Sequence, residues 1–184
     1  EIRSFGAMLL DMYPKGGVTE KTYEPGTNPF ELAPWFDSGN YVISRNSEYG
    51  NLWIQGGPRA RLFFKDTPFD APALNKVPLV KWNRRYAFAS STHSLLPPRL
   101  NHVYDRNGGE MASGCLLHAK FLDSFSEKAA EELIRKQHYA EGQEYEAYIK
   151  NPDAPSDVWC KWSERYINWR QLETLGLMSK GNWA

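Results

Sequence analysis

Two residues apart near the middle of the chain, in the run SGCLLHAKF, stand His118 and Lys120. A neutral imidazole can coordinate a divalent cation, and an ammonium close by can meet a phosphate that the same cation holds. The bland alternative is a hydrogen-bonded core histidine beside a lysine that snorkels to water. His93, which follows Ser91 and Thr92, carries the same ambiguity. Arg59, Arg61, Arg84 and Arg85 have the fork geometry to grip anionic groups, although four arginines near turns equally describe a solvated face. Several chemistries lack their motif. No glycine spacing of the dinucleotide or P-loop kind occurs, nor G-x-S-x-G, H-E-x-x-H or C-x-x-C.

Such residues need a scaffold. The chain has 184 residues, 41% of them hydrophobic, enough to bury a core and form one domain or most of one over residues 1–184. Lys plus Arg equals Asp plus Glu at 22 each, so no chain-wide basic surplus exists to hold a nucleic-acid backbone. Seven Trp and ten Tyr suit surfaces that stack on sugar or nucleotide faces, with a Trp-rich core as the alternative. Cys115 and Cys160 are too few for a disulfide framework, which fits a reducing, cytoplasmic setting. No apolar run approaches the roughly 20 residues that span a bilayer, and no basic-then-apolar leader opens the chain. Peripheral contact with a membrane stays open to it.

Apolar periodicity supplies the elements. Arg3 to Tyr13 reads as a strand buried on both faces, with Asp11 at its C-terminal end, and residues 18–34 read as a Pro- and Gly-rich loop. A hairpin is expected over residues 41–44 and 52–54, followed by a flexible Gly56-Gly57. Strands are expected at 77–82 and 113–121, the second placing His118 and Lys120 on one side, with extended chain at 86–92 between them. Helices are expected over 122–138, 144–149 and 163–176, the last stopped by Gly176 with Trp169, Leu172 and Leu175 on one stripe. The class is α/β, a mixed sheet with helices concentrated at the C-terminal end.

The segments SFGAMLLDMYPKG, YVISRNS with QGGPRARLFF, ALNKVPLVKWNRRYAFASSTHSLLPPRLN, SGCLLHAKFL and NWRQLETLGLMSKGNW carry a resemblance. Together, and in this order, they resemble the latter part of bacterial family 2 glycosyltransferases. That resemblance implies a GT-A fold, a nucleotide-sugar donor, a saccharide or other hydroxyl acceptor, and a manganese or magnesium ion. It implies His118 as a metal ligand and Lys120 near the diphosphate. His93, Arg59 and Arg61 are then substrate-binding candidates, and Trp35 would stack on an acceptor sugar. An inverting transfer needs a general base, for which Asp11 is the first candidate and Asp37 the second; Asp37 is otherwise an ordinary loop or capping residue. Enzymes of this type carry an Asp-x-Asp motif, and none occurs here. The chain therefore reads as the acceptor-side, C-terminal part of such an enzyme, with its donor half expected upstream of Glu1. A non-catalytic carbohydrate- or partner-binding module is the rival reading.

Overall fold

The run SFGAMLLD forms β1 (Ser4–Asp11), and both of its faces are buried from Gly6 onward with only Leu9 partly open. A computed structural model describes residues 3–17, 22–104, 111–122, 131, 146–148 and 158–182. A strand apolar on both faces belongs in the middle of a sheet. Accordingly β1 lies between β5 (Asn75–Val80), antiparallel, and β8 (Ser113–His118), parallel. The chain is thus a mixed α/β fold.

Three two-stranded ladders surround this sheet. The hairpin expected from the sequence is β3 (Tyr41–Asn46) with β4 (Asn51–Gly56). The strand β2 (Trp35–Asp37) pairs with β9 (Ser163–Arg165), and β6 (Ala87–Phe88) with β7 (Leu95–Leu96). Three short helices are described from end to end, α1 (Pro29–Leu32), α2 (Gly57–Phe63) and α3 (Trp169–Thr174), and residues 131 and 146–148 are helical as well. One core cluster gathers Met8, Leu10, Met12, Phe36, Leu74 and Leu172 around β1, and a second gathers Tyr13, Phe63, Phe121 and Tyr148.

Two expectations change, the end of β8 and the start of α3. Two short helices, α1 and α2, also occur early in the chain, alongside α3 and the helical residues 131 and 146–148 in its last third. Of the spans 122–138 and 144–149, only residues 122, 131 and 146–148 fall among the described residues, and 131 and 146–148 are helical as expected. The strand expected to reach Phe121 stops at His118, where Lys120 N–H bonds to His118 O at 2.9 Å and Leu122 N–H to Lys120 O at 3.1 Å. These tight turns break the two-residue alternation, so periodicity does not carry His118 and Lys120 onto one face. The helix expected from Ser163 begins only at Trp169. Residues 163–165 find a better use for their backbone groups on the open edge of β2, and Asn168 Oδ1 then caps α3 by accepting from Arg170 N at 2.9 Å. Leu172 faces the core while Trp169 and Leu175 are exposed, and Gly176, at φ 72°, ends the helix as expected.

Asn101 ties the outer ladders together from a fully buried position. Its Oδ1 accepts from Leu95 N at 2.7 Å, and its Nδ2 donates to Tyr49 O at 2.9 Å and Leu95 O at 3.0 Å. Asn101→Ala strands three backbone groups away from water, so we expect a loss of about 2–3 kcal/mol. Urea titration of the variant would show this as a lower midpoint, and an unchanged midpoint would contradict it.

Candidate functional site

The arrangement of charge follows from α2, which Pro58 starts without a side-chain cap. Arg59 and Arg61 are two residues apart, about 200° around a helix, so they leave it in nearly opposite directions. Arg59 reaches the end of β1 and grips Asp11 with both arms, Nε to Oδ2 at 2.6 Å and Nη2 to Oδ1 at 2.7 Å. Arg61 does the same to Asp37 at the end of β2, at 2.8 Å and 3.1 Å, and also donates to Val158 O. One short helix therefore neutralises both candidate carboxylates.

His118 joins the first pair because it lies at the register of Asp11 on the neighbouring parallel strand. Its Nδ1 is 2.8 Å from Asp11 Oδ1 and 3.1 Å from Arg59 Nη2. A guanidinium and a carboxylate set opposite demands on Nδ1, and an Nδ1 lone pair would face the anionic Asp11 oxygen at 2.8 Å. The shorter contact to an anionic oxygen thus favours the tautomer in which Nδ1–H donates to Asp11. That leaves the Nε2 lone pair on a ring whose side chain is 38% exposed, whereas the Asp11 and Arg59 side chains are only 1% and 5% exposed.

These contacts set the chemistry of Asp11. Burial by itself raises its pKa, but the Arg59 charge and the hydrogen bonds from His118 and Arg59 outweigh it and hold the carboxyl well below the usual range. Both oxygens are occupied and the group is weakly basic, so it is poorly suited to take a proton from an acceptor hydroxyl. The geometry instead makes it a positioning residue that orients the imidazole.

Asp37 is wholly buried and holds more than Arg61. Tyr13 Oη–H donates to its Oδ1 at 2.5 Å, and Tyr13 Oη also lies 2.8 Å from Ser163 Oγ. Burial, then the Asp37 charge, push the Tyr13 phenol far above its ordinary range. Nothing in the sequence marked Tyr13 or Ser163, since a tyrosine inside an apolar run looks like core.

The remaining candidates are dispersed. Trp35 is half-buried and packs against Trp159, with ring centroids 4.4 Å apart, so part of its ring is covered from within the chain. Lys120 Nζ donates to Tyr148 Oη at 3.1 Å and lies 4.4 Å from the centre of that ring. His93 Nδ1–H donates to Asn75 O at 2.7 Å and its Nε2 accepts from Lys76 Nζ at 3.0 Å, apart from the Asp11 group. A cavity of about 370 Å³ lies beside Arg61, lined also by Asn40, Gln55, Ala60, Lys65 and the exposed ring of Phe69.

Among the described residues, no three His, Cys, Asp or Glu side chains are grouped to hold a metal ion. With Asp11 committed to Arg59, His118 Nε2 is the one atom of the Asp11 group placed to serve as a ligand. Compared with protein-family models, with curated proteins and with solved structures, the chain matches none. No helix among the described residues is long and apolar enough to cross a membrane.

Proposed function

We propose that the chain is the acceptor-side part of a GT-A type glycosyltransferase, which moves a sugar from a nucleotide-sugar donor to a saccharide or other hydroxyl acceptor. The observation that carries this reading is the Asp11, Arg59 and His118 cluster at the C-terminal ends of two parallel strands, β1 and β8. Ligands of open α/β sheets collect at such strand ends. The order of the family-like segments supports it, and the two unpaired cysteines agree with a cytoplasmic setting.

In this proposal Arg59 balances Asp11, Asp11 fixes the His118 tautomer, and His118 offers Nε2 as one ligand to a manganese or magnesium ion. The other ligands are expected upstream. When bound, the ion would neutralise charge on the departing diphosphate. The exposed Phe69 ring beside the cavity offers an acceptor sugar the stacking face that Trp35, partly covered by Trp159, offers less well.

Assaying the product of the complete gene against a panel of nucleotide sugars with manganese or magnesium tests this directly. We expect metal-dependent release of nucleoside diphosphate, lowered about 10–100-fold by His118→Ala, the range that changes around a metal site typically cost. Calorimetry on residues 1–184 alone should give weak or no donor binding; tight manganese-dependent binding there would overturn the upstream placement of the donor half. Retention on immobilised saccharides without any diphosphate release would favour the rival reading of a binding module, for which the neutralised state of both carboxylates already speaks.

A further inference from the structure

In a chain with equal numbers of acidic and basic residues, the 34 residues from Ala71 to Tyr104 contain no Asp or Glu and five Lys or Arg. The fold concentrates this asymmetry. Asn83 Oδ1 accepts from Arg85 N at 3.0 Å and Asn83 O from Tyr86 N at 2.9 Å, which closes a tight turn with Arg84 and Arg85 at its tip. Neither arginine makes an ion pair among the described residues. Arg3 Nη1 donates to Tyr86 Oη at 3.1 Å, and this hydrogen bond, with the Arg3 and Arg99 charges, lowers the Tyr86 pKa. Five cations, Arg3, Lys81, Arg84, Arg85 and Arg99, thus share one region.

The same region exposes large apolar groups. Trp82 and Phe88 flank the turn with rings stacked at 6.3 Å and are 59% and 43% exposed; Leu79 and Leu96 are 64% and 41% exposed. Water-facing leucines and aromatic rings under a cationic rim are the composition of a membrane-interface anchor, in which rings enter the headgroup layer and cations meet anionic lipid. A nucleic-acid surface would have less use for the two leucines, because bases stack on aromatic planes rather than on aliphatic chains.

We propose that the Asn83 turn, with Leu79, Trp82, Phe88, Arg84 and Arg85, docks the protein peripherally on an anionic lipid surface. This inference stands apart from the transferase reading, since it uses none of the residues around Asp11 or Asp37.

Vesicle flotation with the full chain, phosphatidylcholine alone against phosphatidylcholine with phosphatidylserine, tests it. We expect binding only to the phosphatidylserine vesicles, weakened by salt. Arg84→Gln with Arg85→Gln should weaken it about thirtyfold, at about fivefold per cation removed. Trp82→Ser should weaken it at unchanged charge, while the equally charged control Arg45→Gln with Lys65→Gln should leave it within about twofold, both control residues being exposed outside this region. Equal binding to both vesicles, equal loss in the control pair, or full binding by Trp82→Ser would overturn the proposal. So would a single-stranded oligonucleotide that binds this surface while the vesicles do not.

Discussion

Asp11→Asn is expected to lower stability by about 3–5 kcal/mol at neutral pH, because it leaves the buried Arg59 guanidinium facing a neutral amide. The same substitution carries a pH signature. Asp11 has a folded pKa below its unfolded value, so its contribution is complete above about pH 4 and fades as pH falls toward the depressed value. The wild type should therefore lose its advantage over Asp11→Asn by up to about 1.4 kcal/mol per pH unit below about pH 3.9. Parallel urea titrations at several acidic pH values would measure the gap between the two proteins. A gap that stayed constant would mean that the carboxylate charge is not what holds Arg59. Replacing both partners by apolar residues, Asp11→Leu with Arg59→Met, should recover much of the loss, since neither charge is then buried alone.

Gly56→Ala should be at least as damaging, and for a different reason. Gly56 ends β4 at φ 137°, opposite Tyr41, and a Cβ there would sit 2.1 Å from Asn40 O and 2.8 Å from Tyr41 Cα. Both obstacles are backbone, so no side chain can swing aside. We expect more than about 4 kcal/mol of destabilisation, a large share of the 5–15 kcal/mol that a domain has. Gly176→Ala is the matched control: φ is 72° there but nothing lies within 4 Å, so only the backbone cost of about 1–2 kcal/mol applies. Thermal melts that placed the two variants together would show that the contact with Asn40 relaxes cheaply.

Local patterns in the sequence reveal what local physics decides. The double-sided apolar run of β1, the β3–β4 hairpin and the stop at Gly176 depend on neighbours within a few residues, and all three are visible by eye. By contrast, the β2–β9 ladder joins Asp37 to Ser163 across more than a hundred residues, and no local pattern announces such a partner. The same distinction divides the site. Asp11 and His118 stood out by type and placement, and the parallel register of β1 and β8 brings them together. What the sequence could not reveal is that Arg59 and Arg61, which read as anion grips or solvated charges, have already found their anions inside the protein. A helix that hides behind Gly56-Gly57-Pro58 gives no apolar stripe long enough to recognise.

Because that helix serves Asp11 with one arginine and Asp37 with the next but one, its spacing is held from two sides at once. Inserting or deleting one residue between Arg59 and Arg61 would turn one of them by about 100° and leave a buried carboxylate without its counter-ion. Ala60 between them is itself buried against the Tyr13, Phe63 and Phe121 core, so a larger side chain there would have to displace that packing. The segment is therefore constrained in length as tightly as in composition, because a change of length cannot be absorbed without parting one of the two charge pairs.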